Sequence, residues 1–164
     1  MALNAYLTLK GQKQGEIHGS ATQKGREGSI LVHSYSNEIL EPRDATSGLP
    51  TGKRQHQPIT LVKDVDASSP KLWSALVNNE TLTTWVLKLW SADAAQPGVE
   101  KQIYTVTLTN ASIASIREFM SDNLDPAQTK RPLQDQISFT YQKIEWTWTE
   151  STITASDDWE TPIR

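Results

Sequence analysis

The chain contains no cysteine among its 164 residues, which excludes disulfide bonds and cysteine metal sites. It also lacks a long apolar run, because no segment approaches the roughly 20 apolar residues that a membrane-spanning helix needs. The N-terminal residues, MALNAYLTLKGQ, carry polar and charged breaks and no basic region, unlike a conventional signal peptide. We therefore expect no membrane insertion and no export through a cleaved leader.

Charge of one sign is also lacking, since 16 Lys and Arg stand against 19 Asp and Glu, for a net charge of −3. The densest basic cluster is the dipeptide Lys53-Arg54, which is far short of the basic stripe typical of nucleic-acid binding. We expect no nucleic-acid partner. A chain of this length can bury a core of its own, so we expect residues 1–164 to form a single domain.

Alternation of apolar and other residues, which is typical of strands, dominates the sequence. The segments that show it are 3–9, 28–36, 59–63, 82–90, 101–109 and 135–149. Residues 111–119 fit a strand or a short helix, and we favour the strand. Both faces of 82–90 are apolar, so we expect both to be covered. Short strands with one helix predict a mainly β fold, a small antiparallel β-barrel of two packed sheets.

The last long strand changes the parity of its apolar residues along its length. Ile137 and Phe139 occupy odd positions, whereas Ile144, Trp146 and Trp148 occupy even ones. A bulge or sharp bend near Gln142-Lys143 would bring both sets to one inward face, as at the corners of barrels. The alternative is that one set faces a partner subunit.

One short flanking helix is predicted over about 69–79. Ser69 is placed at the N-cap, and Pro70 follows at the first helical position, where its fixed φ suits a helix. Asn78 and Asn79 can adopt the left-handed conformation that ends a helix.

A long extended loop, about 37–58, does not fit a simple hairpin connection, because most such connections have about 2–5 residues. It contains three prolines and two glycines, together with the apolar residues Ile39, Leu40 and Leu49 and charges of both signs. Two interpretations stay open. The segment is either a mobile surface loop or an arm that docks onto another protein surface.

No catalytic, cofactor or metal motif emerges from the sequence. His18, His33 and His56 have no metal-binding spacing, and each is interpreted as a surface or satisfied structural histidine. The GK of residues 48–54 lacks the spacer and the following helix of a phosphate-binding loop. We expect no enzyme activity, no cofactor and no metal. Two alternatives stay open. One is a monomeric β-barrel module that binds carbohydrate through Trp159 and its acidic neighbours, and the other is a small hydrolase that uses a pair of Asp or Glu residues.

The order of these segments resembles the haemolysin-coregulated protein (Hcp) family, the tube protein of the bacterial type VI secretion system. The most specific part is ITLVKDVDASSPKLWSAL, a strand followed by Lys, Asp, Ser-Pro and a helix. In family order, AYLTLKG and GSILVHSYSNEI precede it, and ETLTTWVLKLW, IYTVTLTNASIASI and ISFTYQKIEWTW follow it. Residues 37–58 depart from the family pattern, because they carry prolines and charges where some members are rich in glycine.

The resemblance implies a structural subunit that forms a homo-hexameric ring. Rings would stack into a hollow tube inside a contractile sheath and leave the cell with a spike protein at the tip. The lumen would carry or chaperone secreted effectors. The resemblance further implies assembly in the bacterial cytoplasm and secretion, without a signal peptide, to the exterior or into a target cell. We expect no added C-terminal toxin domain, which some family members carry.

Two sets of residues are predicted to serve this assembly. The arm would contribute contacts within or between rings through Leu40, Arg43, Asp44, Leu49, Lys53 and Arg54. The segment 117–123 would approach the lumen through Arg117, Ser121 and Asn123.

Overall fold

Strands make up most of the regular structure in the computed structural model, which describes residues 3–160. The strands are β1 (Leu3–Gly11), β2 (Gly15–Ile17), β3 (Ile30–Val32), β4 (Ser34–Ser36), β5 (Ile39–Leu40), β6 (Gln55–His56), β7 (Ile59–Asp64), β8 (Leu82–Ala92), β9 (Glu100–Thr109), β10 (Ser112–Phe119), β11 (Gln134–Thr140), β12 (Lys143–Trp148) and β13 (Ile153–Asp158). The helix is α1 (Ser69–Val77). Within the described range, no helix is long and apolar enough to cross a membrane.

The strands pair in antiparallel fashion and form two main sheets. The larger sheet has the order β13-β12-β9-β8-β1-β2, with β3 also paired to β1. The smaller main sheet has the order β10-β11-β7-β4, and β5 pairs with β6 in a separate sheet of two strands. The predicted mainly β fold with one helix is confirmed. Residues 112–119 form a strand, as we favoured.

The chain passes between the two main sheets four times, once through α1 between β7 and β8 and three times at tight corners. β3 pairs with β1 whereas β4 pairs with β7, so the first crossing falls at His33. β9 passes into β10 at Asn110, which has a φ of +51°, and β11 passes into β12 at Tyr141 and Gln142. The barrel that we predicted is therefore two sheets joined at corners, and no sheet of the described chain closes on itself.

The bend predicted near Gln142-Lys143 is confirmed, because β11 ends before it and β12 begins after it. Ile137, Phe139 and Ile144 are consequently all buried, although they have opposite parity. The inward face does not extend to the end of β12, where Trp148 is 40% exposed. The predicted common face thus holds near the corner and is lost towards the C-terminal end of β12.

The core lies between the two main sheets and centres on an aromatic pair. Trp85 of the larger sheet and Phe139 of the smaller sheet are fully buried. Their ring centroids are 5.5 Å apart and their planes make an angle of 70°, an edge-to-face arrangement that aromatic rings favour. Leu7, Leu61 and Leu87 belong to the same buried cluster.

The outer face of β8 is covered at Trp90 by the loop before β3, whereas Lys88 on the same face is exposed, so the prediction that both faces of 82–90 are covered holds only in part. The guanidinium of Arg26 lies 4.4 Å from the ring centre of Trp90 and 4.8 Å from that of Tyr6. Glu100 accepts a hydrogen bond of 2.5 Å from Arg26. The cation is thus held between two aromatic rings, an attractive arrangement.

The helix begins differently from the prediction, which placed Ser69 at the N-cap. Ser68 is the N-cap, and its side chain makes no capping hydrogen bond. Ser69 is the first helical residue and is buried. Its hydroxyl donates to Asp135 Oδ2 at 2.7 Å, so a partner on a neighbouring strand replaces the free helix amide that we expected.

The helix ends as the two asparagines predicted, although two residues earlier than position 79. Asn79 has a φ of +49°. The amides of Asn79 and Glu80 donate to the carbonyls of Leu76 and Ala75 at 3.2 Å and 2.8 Å. This pair of bonds is the Schellman motif, which satisfies carbonyls at a helix end.

A buried ammonium group connects this helix to both strands beside it. The side chain of Lys63 is 1% exposed. Its Nζ lies 3.0 Å from the carbonyl oxygen of Asp64, 3.1 Å from Asp66 Oδ1, 2.9 Å from Ser69 Oγ and 3.2 Å from Asp135 Oδ2. A buried charge is tolerated only when it is paired and hydrogen-bonded, so these four oxygens fix β7, the start of α1 and β11 together.

Replacing Lys63 by Met should lower the free energy of unfolding by about 3–5 kcal/mol, because Asp66 and Asp135 would lose their shared cation. Urea denaturation measures the change. The control is Lys88→Met, since Lys88 is exposed on β8. A Lys63→Met loss no larger than that of the control would contradict the role of the buried ammonium.

Candidate functional site

The arm, residues 37–58, folds as a two-stranded antiparallel hairpin. At its base β5 pairs with β6, and Ile39 lies opposite His56. Farther out, Arg43 pairs with Pro50 in an isolated bridge. The segment therefore has a defined hairpin shape, and its docking onto another protein surface stays a prediction.

A local hydrogen-bond network shapes the tip of the arm, residues 44–49. Asp44 Oδ1 accepts bonds from the amides of Thr46 and Ser47 at 2.8 Å and 2.7 Å. The amide of Gly48, which has a φ of +70°, donates to the Asp44 carbonyl at 2.8 Å. The bonds from Ser47 and Thr46 hold the pKa of the Asp44 carboxyl below its ordinary value. The tip is thus defined by its own side chains.

Five of the six arm residues predicted for subunit contact are exposed to solvent, and two of them are large and apolar. Leu40 is 45% exposed and Leu49 is 65% exposed. Arg43, Asp44 and Lys53 are exposed as well. The hairpin therefore presents apolar and charged side chains of a kind that suits a protein contact.

The sixth residue, Arg54, belongs to an anchor cluster of five side chains, which also includes His56, Tyr141, Asp157 and Trp159. Asp157 Oδ2 accepts bonds from Arg54 Nε and, at 2.6 Å, from His56 Nε2. The His56 side chain is fully buried, and its ring centre lies 4.7 Å from that of Trp159. The anchor cluster fastens the base of the arm to the last strand, β13.

Both nitrogens of the His56 ring are used within the anchor cluster. Nε2 must donate to Asp157, because a carboxylate only accepts. Nδ1 lies 2.8 Å from the Tyr141 hydroxyl. Burial raises the pKa of Tyr141 to about 12, so this hydroxyl stays protonated, and in a neutral imidazole with its proton on Nε2 it donates to Nδ1. The predicted satisfied structural histidine is confirmed for His56.

A cleft of about 320 Å³ lies beside the anchor cluster, lined by Lys53, Arg54, Gln55, His56 and Trp159. It bears on the carbohydrate alternative, which predicts an exposed aromatic ring with acidic neighbours. Asp157 is instead bound to Arg54 and His56, and the Trp159 ring packs on His56. Asp157 and the Trp159 ring thus contact the arm, while Trp159 stays 47% exposed.

The charge of Asp157 is stabilised by its two partners. Burial raises the pKa of this carboxyl, but the hydrogen bonds from Arg54 and His56 outweigh that effect and hold the pKa below its ordinary value of 3.8. Because the pKa is lower in the folded state, the anchor cluster stabilises the fold above pH 3.8. That contribution is lost as the pH falls through the lower folded-state value.

We therefore expect the Asp157 carboxyl to titrate below pH 3.8 in the folded protein. Carbon-13 NMR of the carboxyl signal measures the midpoint. Arg54→Gln should raise it, because this substitution removes one of the two hydrogen bonds that favour the charged form. A midpoint at or above 3.8 in the unsubstituted protein would contradict the geometry.

The three residues predicted to face a lumen lie on and after β10, apart from the arm in sequence. Arg117 is exposed on β10, with its guanidinium 4.7 Å from the ring centre of Phe119. Ser121 is half-buried and Asn123 is exposed in the loop of residues 120–133. This surface is available for contact, and its orientation in an assembly stays a prediction.

Sequence reasoning missed the role of Tyr141, Asp157 and Trp159 in holding the arm. His56 is separated from Tyr141 by 85 positions and from Asp157 by 101. No local spacing signals such a contact. The clustering of Trp159 with acidic residues was visible, but it suggested a sugar-binding surface.

Comparisons with known proteins agree with this fold. The family model described as "Type VI secretion system effector, Hcp" matches residues 6–148. The "Major exported protein" of Pseudomonas aeruginosa is 36% identical over an alignment of 172 positions that covers 99% of each chain. The chain therefore belongs to the Hcp family of the type VI secretion system, and the predicted resemblance is confirmed.

Solved structures of family members share the architecture. The Hcp1 protein from E. coli is 30% identical, with a TM-score of 0.84 over 96% of this chain and 99% of that one. The secreted protein Hcp3 from Pseudomonas aeruginosa is 29% identical, with a TM-score of 0.78 over 98% and 100% of the two chains. The family is one of structural and secreted proteins and not a known enzyme family.

Proposed function

We propose that this protein is the structural subunit of a type VI secretion tube. Six copies would form a ring, and rings would stack into a hollow tube that carries or chaperones effectors in its lumen. The observation that carries the proposal is the arm, a hairpin of defined shape with uncovered apolar and charged side chains, in a chain that belongs to the Hcp family.

The arm suits a contact between subunits for a physical reason. A ring built from head-to-tail contacts needs two different surfaces on each subunit. The tip is shaped by Asp44 and the base by the anchor cluster, so Leu40 and Leu49 are presented on a defined scaffold. A surface that is already organised loses less conformational entropy on binding.

The remaining parts of the proposal follow from membership of the family. The tube would assemble in the bacterial cytoplasm inside a contractile sheath and would be expelled with a spike protein at its tip. The protein would then reach the exterior or a target cell without a signal peptide. A subunit with this role needs no active site, and we propose no catalytic activity.

The arm can be tested by replacing its two exposed leucines together, Leu40→Ser and Leu49→Ser. We expect rings to be weakened or to stop stacking, because the contact would lose apolar area that is buried on association. Light scattering after size exclusion gives the mass, and electron microscopy gives the stacking.

Val77→Ser is the matched control, because Val77 is 75% exposed on α1, outside the arm. It should leave assembly unchanged. Rings that keep their mass and their stacking in the double arm variant would contradict the role of the arm.

The lumen prediction can be tested with one added thiol, since the chain has no cysteine of its own. Asn123→Cys should react with a small maleimide in rings and in stacked tubes. It should lose its reaction with a polymer-linked maleimide in tubes, because the polymer cannot enter the lumen. Equal reaction of the polymer reagent with rings and tubes would place Asn123 outside the lumen.

A further inference from the structure

We propose that the last strand, β13, sets the position of the arm through the single carboxylate of Asp157. Loss of this carboxylate would release the arm while the two main sheets stay folded. The effect on assembly rests on the proposed function, in which the arm contributes to contact between subunits. The effect on the arm itself does not.

The arm has little backbone support from the rest of the fold. β5 and β6 pair only with each other among the described strands, and an isolated two-stranded hairpin is marginally stable in water. Residues 43–53 are exposed throughout. Side-chain contacts at the base must therefore supply the attachment that a third strand would otherwise provide.

Those contacts converge on one oxygen atom. Asp157 Oδ2 accepts from both Arg54 Nε and His56 Nε2, which lie just before and within the second strand of the arm. A further bond runs from Arg54 Nη2 to the carbonyl of Asp158 at 2.8 Å. Both residues of the arm thus bind to the C-terminal end of β13.

The buried environment of His56 makes this acceptor hard to replace. Its side chain is fully buried, with Trp159 over the ring, and Asp157 is the acceptor that the fold provides for Nε2. When a neutral amide replaces the carboxylate, the bonds from His56 Nε2 and Arg54 Nε lose the negative charge that strengthens them, and this destabilises the closed state. The arm can then move away and expose His56 to solvent.

β13 is well placed to act in this way because it is the outermost strand of the larger sheet. It pairs with β12 alone among the described strands, and residues 153–156 are exposed. Its own position is supported in turn by the two bonds from Arg54. The arm and the last strand therefore stabilise each other, and a disturbance of one is felt by the other.

The test replaces Asp157 by Asn, which keeps the shape of the side chain and removes its charge. Hydrogen exchange of the Thr51 and Gln57 amides reports on the arm, because these amides bond to the carbonyls of Pro42 and Glu38 at 2.9 Å. Exchange is measured in the unsubstituted background and in the Leu40→Ser, Leu49→Ser background, so that protection by neighbouring subunits is separated from protection by the anchor cluster.

Asp158→Asn is the matched control. It makes the same change of charge on the same strand, but the Asp158 side chain accepts from the Glu160 amide at 2.9 Å and not from the arm. Its carbonyl remains available to Arg54. If Asp157→Asn does not fold, Arg54→Gln is measured in its place. This substitution removes the guanidinium by which the arm binds the Asp157 carboxylate.

We expect Asp157→Asn to accelerate exchange of the arm amides by about tenfold or more, with the core amides and the Asp158→Asn variant unchanged. Unchanged arm exchange in Asp157→Asn would overturn the proposal. Equal acceleration in Asp158→Asn, or equal acceleration throughout the core, would overturn it too. For Arg54→Gln, faster exchange confined to the arm supports the proposal and unchanged exchange overturns it.

The same variants distinguish this proposal from the proposed function. Faster arm exchange in Asp157→Asn with unaltered ring mass and stacking would support the anchor and contradict the role of the arm in assembly. Unaltered arm exchange in Asp157→Asn together with loss of assembly would contradict the role of Asp157 in holding the arm. It would not contradict the proposal that the protein is a tube subunit.

Discussion

The buried ammonium of Lys63 is the interaction on which the arrangement of the fold depends most. It lies where β7, the first turn of α1 and β11 meet, and four oxygens surround it. Burying this charge without partners would cost a large amount of free energy. The ammonium therefore stays buried only while β7, α1 and β11 together supply the surrounding oxygens. The same network explains why Ser69 turns to Asp135 rather than capping the helix.

The arm is held by the same kind of interaction with the signs reversed. There a carboxylate, Asp157, binds a guanidinium and a buried imidazole. Lys63 connects elements that pack on the same hydrophobic core. Asp157 instead connects β13 to the arm, a hairpin without a hydrophobic core of its own. We therefore regard the arm as the part of the subunit whose position can change at least cost, which suits a surface that meets other subunits.

Much of the fold was predictable because its signals are local. Alternation marks the long strands, Asn79 marks the end of the helix, and the parity change marks the corner at Gln142. The strand-to-helix segment around Lys63 also supports the resemblance to the family.

The anchor cluster was not predictable in the same way. It depends on contacts between residues about one hundred positions apart, and neither periodicity nor spacing reports such contacts. The prediction of Ser69 as the N-cap was wrong for a related reason. Capping preferences describe contacts within a helix end and give no information about Asp135 on β11. The contacts of the six arm residues with neighbouring subunits remain a prediction, because they involve other copies of the chain.

The most direct measurement is the solution mass of the pure protein by light scattering after size exclusion, over a range of concentrations. We predict a species near six times the chain mass of 18.3 kDa, with larger stacked species as the concentration rises. A single chain mass at every concentration would contradict the tube subunit.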